Sequence, residues 1–212
     1  MNNAYFTNFV RVPSAGKMGV VLEAITASLA ATGRPGFITV PVSTAAPNNP
    51  RPGIISKLGG TATLDDIDAV QEALLQNAKF MNRLDAIDAM CDRTHWTVSE
   101  NLSGPLGTPS GYEPKVAGRT FMVAKPGKKQ ELVDALIGVR DKISSDIKPL
   151  LSTPLSGPIS AVRITYISTS LQDLEDQRRE FLGNRARNAG LPGLVGQVPI
   201  FHLGRVVYRA SV

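Results

Sequence analysis

Two histidines are the residues best suited to acid–base chemistry, and they occupy matching places in the chain. His95 and His202 are the only histidines, and the same spacing of 107 positions relates other residues around them. Each lies near the start of a segment predicted to be the last strand of its half of the chain. Because an imidazole titrates near neutral pH, either one could serve as a general base in a cavity. The alternative for each is a purely structural role.

The histidines do not predict a metal site. No group of Asp, Glu or Cys accompanies both of them, and internal symmetry would hold them apart. The single cysteine, Cys91, excludes an intrachain disulfide and is expected to be buried and structural. We therefore assign no catalytic residue and expect no metal.

Further candidates for ligand binding are aromatic or cationic residues of late strands. Trp96, the only tryptophan, could belong to the core or line the mouth of a cavity. Arg163 and Tyr166 lie on one predicted strand, where alternation places them on opposite faces. Arg163, together with Arg205 or Arg209, could present a positive charge to an acidic ligand.

The chain repeats itself. Gly16-Lys17 matches Gly127-Lys128 at an offset of 111, and Thr63–Ile67 matches Ser170–Leu174 at an offset of 107. A longer loop in the first half, Ala45–Pro52, would account for the difference between the two offsets. The ordered series of matches indicates an internal duplication.

Each half predicts the element order β-α-β-β-α-β. Apolar residues at helical spacing run from Met18 to Leu29 and from Leu132 to Ile143. Thr63 and Ser170 are predicted N-caps of the second helix in each half, and a further helix is predicted over Asn82–Cys91. The predicted strands are Phe9–Val12, Phe37–Ser43, Ile54–Leu58, His95–Glu100, Thr120–Ala124, Leu150–Leu155, Ser160–Ser168 and Phe201–Arg209.

These elements predict an α+β fold of two tandem ferredoxin-like repeats. Residues 1–100 form the first repeat, a Gly- and Pro-rich linker covers 101–119, and residues 120–212 form the second repeat. The last strand has apolar residues at both odd and even positions, a pattern that favours burial of both faces of the strand. We therefore expect the two sheets to pack into one intrachain barrel.

The repeated strand, Pro/Gly/Lys turn and amphipathic helix resemble the dimeric α+β barrel superfamily. The resemblance rests on Val12–Lys17, Val123–Lys128 and Arg205–Arg209, and the NIPSNAP and antibiotic-biosynthesis-monooxygenase-like families are the most similar. It implies that one duplicated chain builds a whole barrel. Because some barrels of this type bind haem, it also implies that His95 or His202 could be an axial haem ligand, although no cofactor is the first expectation.

Composition limits the class of protein. The chain has 212 residues and is 42% hydrophobic, without a run long enough to span a membrane. The N-terminus lacks the pattern of a secretory signal, so the cytoplasm is the expected location. The net charge of +5 comes from the second half of the chain and is expected to be a solvated surface.

The sequence is compatible with three functions. The first is a small-molecule-binding or regulatory barrel for a hydrophobic or acidic ligand. The second is a cofactor-independent, or haem-using, monooxygenase- or isomerase-like enzyme acting on a hydrophobic or aromatic substrate. RNA binding is disfavoured because Ile54–Leu58 has no aromatic residue to stack on a base. We expect no nucleic-acid or membrane partner, and a monomer or weak homodimer.

Overall fold

The computed structural model describes residues 4–42, 53–104, 111–186 and 190–210. The first half contains β1 (Ala4–Pro13), α1 (Met18–Ala31), β2 (Gly36–Pro41), β3 (Ile54–Ala62), α2 (Leu64–Leu75), α3 (Ala78–Asp88) and β4 (Cys91–Asn101). The second contains β5 (Val116–Val123), α4 (Lys129–Asp141), β6 (Leu150–Pro154), β7 (Ala161–Ser168), α5 (Leu171–Ala186), α6 (Leu191–Leu194) and β8 (Ile200–Ala210). The predicted order of elements is confirmed in both halves. The loop Ala45–Pro52, proposed to explain the change of offset, lies outside the described residues.

The eight strands form a closed antiparallel barrel in the order β1-β3-β2-β8-β5-β7-β6-β4. In the first half β3 pairs with both β1 and β2. In the second half β5 pairs with β7 and β8, and β6 pairs with β7. The predicted α+β class with duplicated ferredoxin-like repeats is therefore confirmed.

The chain divides into two compact units. Unit 1 comprises Met1–Ser99 and Val206–Val212, and unit 2 comprises Glu100–Arg205. Strand β5 begins at Val116, so the last four residues of the predicted linker 101–119 are strand. The division into repeats 1–100 and 120–212 with a linker between them stays a prediction. A Cβ at Gly118 would lie 2.8 Å from the Phe201 ring, so close packing explains the glycine in β5.

Both predicted N-caps are present. The Thr63 hydroxyl accepts a hydrogen bond from the Asp66 amide at 3.1 Å, and the Asp66 carboxylate accepts one from the Thr63 amide at 2.8 Å. This capping box lowers the pKa of Asp66 through its hydrogen bonds with Thr63. Ser170 accepts from the Asp173 amide at 3.0 Å at the start of α5. Local sequence thus sets the start of the second helix in each half.

Unit 2 has a filled core between its sheet and its helices. Fifteen buried apolar residues form one cluster, to which α4 contributes Leu132, Val133, Leu136 and Val139. The rings of Tyr166 and Phe181 meet edge to face, with centroids 5.8 Å apart. These two residues join β7 to α5 at the centre of the unit.

Unit 1 is packed less completely on the same side of its sheet. Among the residues of unit 1 whose side chains are described, the buried apolar cluster has six members, drawn mainly from α1, β2 and β3. Helix α2 is described in full and buries none of its residues, and α3 buries only Ile87. The helices therefore cover this side of the sheet without filling the space beneath them.

This difference predicts unequal costs for two matched truncations. Phe181→Ala should lower the free energy of unfolding by about 3–5 kcal/mol, because it opens a cavity in a filled core. Leu74 stands at the corresponding position of α2, is half-buried, and already borders empty space. Leu74→Ala should therefore lower the free energy of unfolding by less than roughly 2 kcal/mol, which is the smallest loss usual for Leu→Ala at a buried position. Urea denaturation of both variants would measure the difference, and equal losses would contradict the assignment of unequal packing.

Candidate functional site

A cavity of about 220 Å³ lies in unit 1 between the hairpin of α2 and α3 and the strands β1 and β4. We call it the α2–α3 cavity. Its wall is mostly apolar at one side and carries several charged groups at the other. The lining residues are Phe9, Val10, Arg11, Gln71, Leu74, Leu75, Met81, Leu84, Asp85, Asp88, Thr94, His95 and Trp96.

The apolar side of the cavity is built around two stacked rings. Phe9 of β1 and Trp96 of β4 have ring centroids 5.1 Å apart and an interplanar angle of 23°. Leu74 and Leu84 face the same space from α2 and α3. Stacked rings and aliphatic side chains form a surface that suits a flat apolar molecule.

The polar side of the cavity is held by an ion pair. Arg11 of β1 is 5% exposed, and its Nε donates to Oδ1 of Asp88 at 2.8 Å. The guanidinium carbon also lies 5.3 Å from the centroid of the Phe9 ring. Because a buried charge is costly without a partner, Asp88 makes the position of Arg11 tolerable in an apolar layer.

The backbone around Arg11 is closely packed as well. A Cβ at Gly53 would collide with the carbonyl oxygen of Arg11, so only glycine permits the observed approach of these two backbones. A second cavity of about 50 Å³ lies on the α1 side of Arg11 and shares Phe9, Leu74 and Leu84 with the first. Arg11 therefore sits on a strand with unfilled space to either side.

The corresponding space of unit 2 is filled. At the offset of 111, Arg11 corresponds to Met122 and Phe9 to Thr120. At the offset of 107, Leu74 corresponds to Phe181. Met122 and Phe181 are each 1% exposed and belong to the core of unit 2. The larger Phe181 closes the region that remains open beside Leu74.

The carboxylate of the ion pair also lacks a counterpart in unit 2. The amide of Ser14 donates to the carbonyl of Met90, and the equivalent amide of Lys125 donates to the carbonyl of Leu194. The residue two positions before Met90 is Asp88, and the residue two positions before Leu194 is Pro192. Both members of the ion pair are thus replaced by apolar residues in the second copy.

Two of the predicted ligand-binding residues, His95 and Trp96, border the α2–α3 cavity. They are consecutive in β4, so their side chains point to opposite faces of the strand. The Trp96 ring stacks on Phe9 in the cavity, and His95 contributes to the wall beside it. Partial burial and the charge of Arg93 lower the pKa of His95, which keeps its ring neutral at physiological pH.

His202 and Arg163 lie on the side of unit 2's sheet that faces away from α4 and α5. His202 stands opposite Arg119 in the β5–β8 register, and its ring meets Phe121 edge to face at 5.3 Å. Nε of Arg163 donates to the Ser152 hydroxyl at 3.2 Å. Burial lowers the pKa of Arg163 to about 10, and burial together with the charge of Arg163 lowers that of Arg119 to about 9.

Tyr166 and Arg205 are separated from this group. Tyr166 faces the helices and is 1% exposed in the core of unit 2. Arg205 is exposed and stands opposite Val116, a core residue on the helix-facing side. The predicted separation of Arg163 from Tyr166 is therefore observed, whereas Arg163 and Arg205 lie on opposite faces and are not brought together.

Sequence reasoning did not single out Phe9, Arg11, Asp85 or Asp88. A signal for Arg11 was present, because it is a charged residue in the apolar strand segment Phe9–Val12 and corresponds to Met122 in the repeat. A charge at a position that the other copy fills with methionine indicates a site rather than a core. Asp88 carried no comparable signal, since acidic residues at helix ends are common.

A haem does not fit the α2–α3 cavity. Its volume of about 220 Å³ is smaller than the about 300–1,000 Å³ of pockets for drug-sized ligands, and a haem macrocycle is a large ligand. We derive no step through haem. In the described part of the chain, no group of three or more His, Cys, Asp or Glu side chains is placed to hold a metal ion.

Known structures share this architecture over nearly the whole chain. An anthrone oxidase-like protein has 14% sequence identity and a TM-score of 0.68, covering 100% of this chain and 95% of its own. A candidate monooxygenase from Fusobacterium nucleatum has 10% identity and a TM-score of 0.70, covering 99% and 95%. A candidate chlorite dismutase has 12% identity and a TM-score of 0.56, covering 97% and 95%.

The closed eight-stranded antiparallel barrel of this chain is the fold of these neighbours. The resemblance predicted from the sequence is confirmed at this level, and the narrower likeness to NIPSNAP proteins stays a prediction. No protein-family profile and no curated protein matches the chain. Identities this low support the fold and not a shared activity. In the described residues, no helix is long and apolar enough to cross a membrane.

The environment of His202 predicts a pH-dependent stability. Burial and the charge of Arg119 lower the pKa of His202 below its ordinary value of 6.5. The folded state thus binds this proton less tightly than the unfolded state. The stabilisation is complete above pH 6.5 and is lost as the pH falls through the lowered folded-state pKa.

We therefore expect His202→Gln to reduce the loss of unfolding free energy between about pH 7.5 and about pH 5.5. Urea denaturation at both pH values would measure this loss. The double variant His95→Gln/His202→Gln has no histidine left and reports the contribution of the carboxylates alone. An unchanged pH dependence in His202→Gln would contradict the assigned environment.

Proposed function

We propose that the protein binds a small, flat, apolar molecule in the α2–α3 cavity of unit 1. The observation that carries this proposal is the stacked pair of Phe9 and Trp96 facing unfilled space of about 220 Å³. An empty apolar space lowers stability, because its lining loses packing contacts. A ligand that fills it would recover those contacts and gain aromatic stacking.

The size of the cavity limits the ligand. Its volume of about 220 Å³ lies below the range of about 300–1,000 Å³ for pockets that hold drug-sized ligands. We therefore propose a compact ligand with few fused rings. Trp96 is 41% exposed, so the ligand would enter from the solvent side of the Phe9–Trp96 pair.

Acid–base chemistry at the same site supports a second candidate, a cofactor-independent oxygenase. Asp85 and Asp88 place carboxylates beside the cavity. The similar folds of the anthrone oxidase-like protein and the candidate monooxygenase add to this candidate. A carboxylate would accept a proton from an acidic C–H of the ligand. The carbanion would then reduce O₂ and form a C–O bond, and loss of water from the hydroperoxide would leave a carbonyl.

We also propose that the protein is a monomer or weak homodimer in the cell. The duplication supports a monomer or weak homodimer, in which one chain supplies both ferredoxin-like repeats. The absence of a cofactor, the cytoplasmic location and the lack of a nucleic-acid partner are likewise proposals.

Naphthalene binding tests the proposed site directly. Because Trp96 is the only tryptophan, saturable quenching of intrinsic fluorescence by naphthalene would report on this cavity alone. Leu84→Phe should weaken binding by about tenfold, since the larger ring occupies the cavity and about 1.4 kcal/mol of affinity is lost.

Leu155→Phe is the matched control, because Leu155 is 45% exposed in unit 2. It should bind naphthalene like the wild type. An absence of saturable quenching in the wild type, or equal affinities in Leu84→Phe and Leu155→Phe, would reject the site.

Oxygen uptake tests the second candidate. With anthrone as substrate, the wild type should consume O₂ faster than buffer, and Asp85→Asn should lower kcat by at least about 100-fold, the usual contribution of a general base. Asp146→Asn, an exposed change in unit 2, is the control and should leave kcat unchanged. Uptake equal to that in buffer would reject the oxygenase and leave the binding function standing.

A further inference from the structure

We propose that Arg11 is the residue that determines ligand specificity in the α2–α3 cavity. It selects flat molecules that carry an uncharged oxygen acceptor, and the carboxylates beside it exclude anions. This inference rests on the proposed binding function and adds the chemistry by which the site recognises its ligand.

The ion pair fixes the guanidinium of Arg11 in one orientation. Its side chain is 6% exposed, and Nε is held by Asp88 at 2.8 Å. The guanidinium carbon also lies over the Phe9 ring, 5.3 Å from its centroid. A buried guanidinium that is held by an ion pair and lies over a ring has little rotational freedom left, so its other donors are oriented before any ligand arrives.

The remaining donors of Arg11 are directed at accessible space. A guanidinium has five N–H donors, and Asp88 uses the one on Nε. Among the described residues, no buried side-chain nitrogen or oxygen lacks a hydrogen-bond partner. The Nη atoms make no hydrogen bond within this part of the chain, so they are not sealed in the core. The space that Arg11 borders is the α2–α3 cavity and its smaller neighbour.

The charges around the cavity determine which kind of ligand oxygen can accept a hydrogen bond from Arg11. Arg11 contributes one positive charge, whereas Asp85 and Asp88 contribute two negative charges. His95 adds no positive charge at neutral pH, because partial burial and Arg93 lower its pKa. A carboxylate ligand would therefore enter a site that is already net negative. A carbonyl or hydroxyl oxygen can accept from Nη without this repulsion.

The second copy shows that the fold itself does not need an arginine here. Met122 occupies the corresponding position and is 1% exposed in a filled core. In the Arg11–Asp88 pair the arginine side chain is 6% exposed and that of Asp88 is 39% exposed, and ion pairs are generally no more stabilising than apolar residues of similar volume. The Arg11–Asp88 pair therefore has a use beyond holding β1 against the helices, and the open donors of Arg11 supply one.

Three ligands with the same ring system test the proposal in calorimetric titrations of the full chain at about pH 7. Naphthalene has no acceptor, 2-naphthol has an uncharged oxygen, and 2-naphthoate is an anion. We expect 2-naphthol to bind at least about tenfold tighter than naphthalene, as for a hydrogen bond to a charged donor. We expect 2-naphthoate to bind more weakly than 2-naphthol.

The double variant Arg11→Met/Asp88→Asn removes the donors without leaving an unpaired buried charge. It should lose the advantage of 2-naphthol and keep the affinity for naphthalene. The matched control is Arg178→Met/Glu175→Gln, because Arg178 also pairs with an acid at 3.0 Å and lies over a phenylalanine ring, in unit 2. Asp85→Asn should raise the affinity for 2-naphthoate several-fold. Circular dichroism would establish that each variant is folded.

The outcomes separate the two proposals. If none of the three ligands binds the wild type, the proposed binding function fails. If naphthalene binds and 2-naphthol binds no tighter, the binding function stands and the role of Arg11 is overturned. Tighter binding of 2-naphthoate than of 2-naphthol, or an unchanged preference in Arg11→Met/Asp88→Asn, would also overturn it.

Discussion

The helix-facing side of a sheet has to be covered by apolar side chains, and the two copies of the repeat meet this requirement differently. In unit 2, Met122 and Phe181 belong to one cluster of buried apolar residues. In unit 1, Arg11 and Leu74 hold the corresponding positions, and helix α2 buries none of its residues, all of which are described. Two copies of one fold therefore provide a packed support and a cavity. A duplication makes this possible, because one copy can supply stability while the other gives up packing for a site.

The Arg11–Asp88 ion pair is the clearest sign that the open copy is organised and not merely poorly packed. A random loss of packing would leave aliphatic residues around the space. Here the charged residue Arg11 is 5% exposed and is paired with the carboxylate of Asp88. Gly53 adds to this, since the backbone of Arg11 is approached too closely for any side chain. Such local departures from core-like composition are expected at sites and not in supporting structure.

Much of the fold could be predicted from the sequence, because local signals repeat in both halves. Thr63 and Ser170 begin helices as caps, and the apolar spacing from Met18 to Leu29 gives α1 its length. The site was predicted less well. His95 and His202 form a matched pair in the sequence, yet His95 borders the α2–α3 cavity and His202 stands opposite Arg119 in unit 2. Whether a helix fills the space over a strand depends on contacts between side chains distant in sequence, such as Leu74 and Phe9. Apolar periodicity within one segment gives no information on such contacts, so the cavity could not be predicted from it.

Strand β8 has a consequence for how the chain is made. Its first residues cluster with unit 2, while Val206–Val212 cluster with unit 1, whose other residues end at Ser99. A ribosome releases the whole of Glu100–Arg205 before the residues that complete unit 1. Unit 1 cannot reach its final set of contacts as it emerges, whereas unit 2 forms from one continuous segment. The cavity-bearing half thus depends on contacts of long sequence separation, and such contacts form more slowly than local ones.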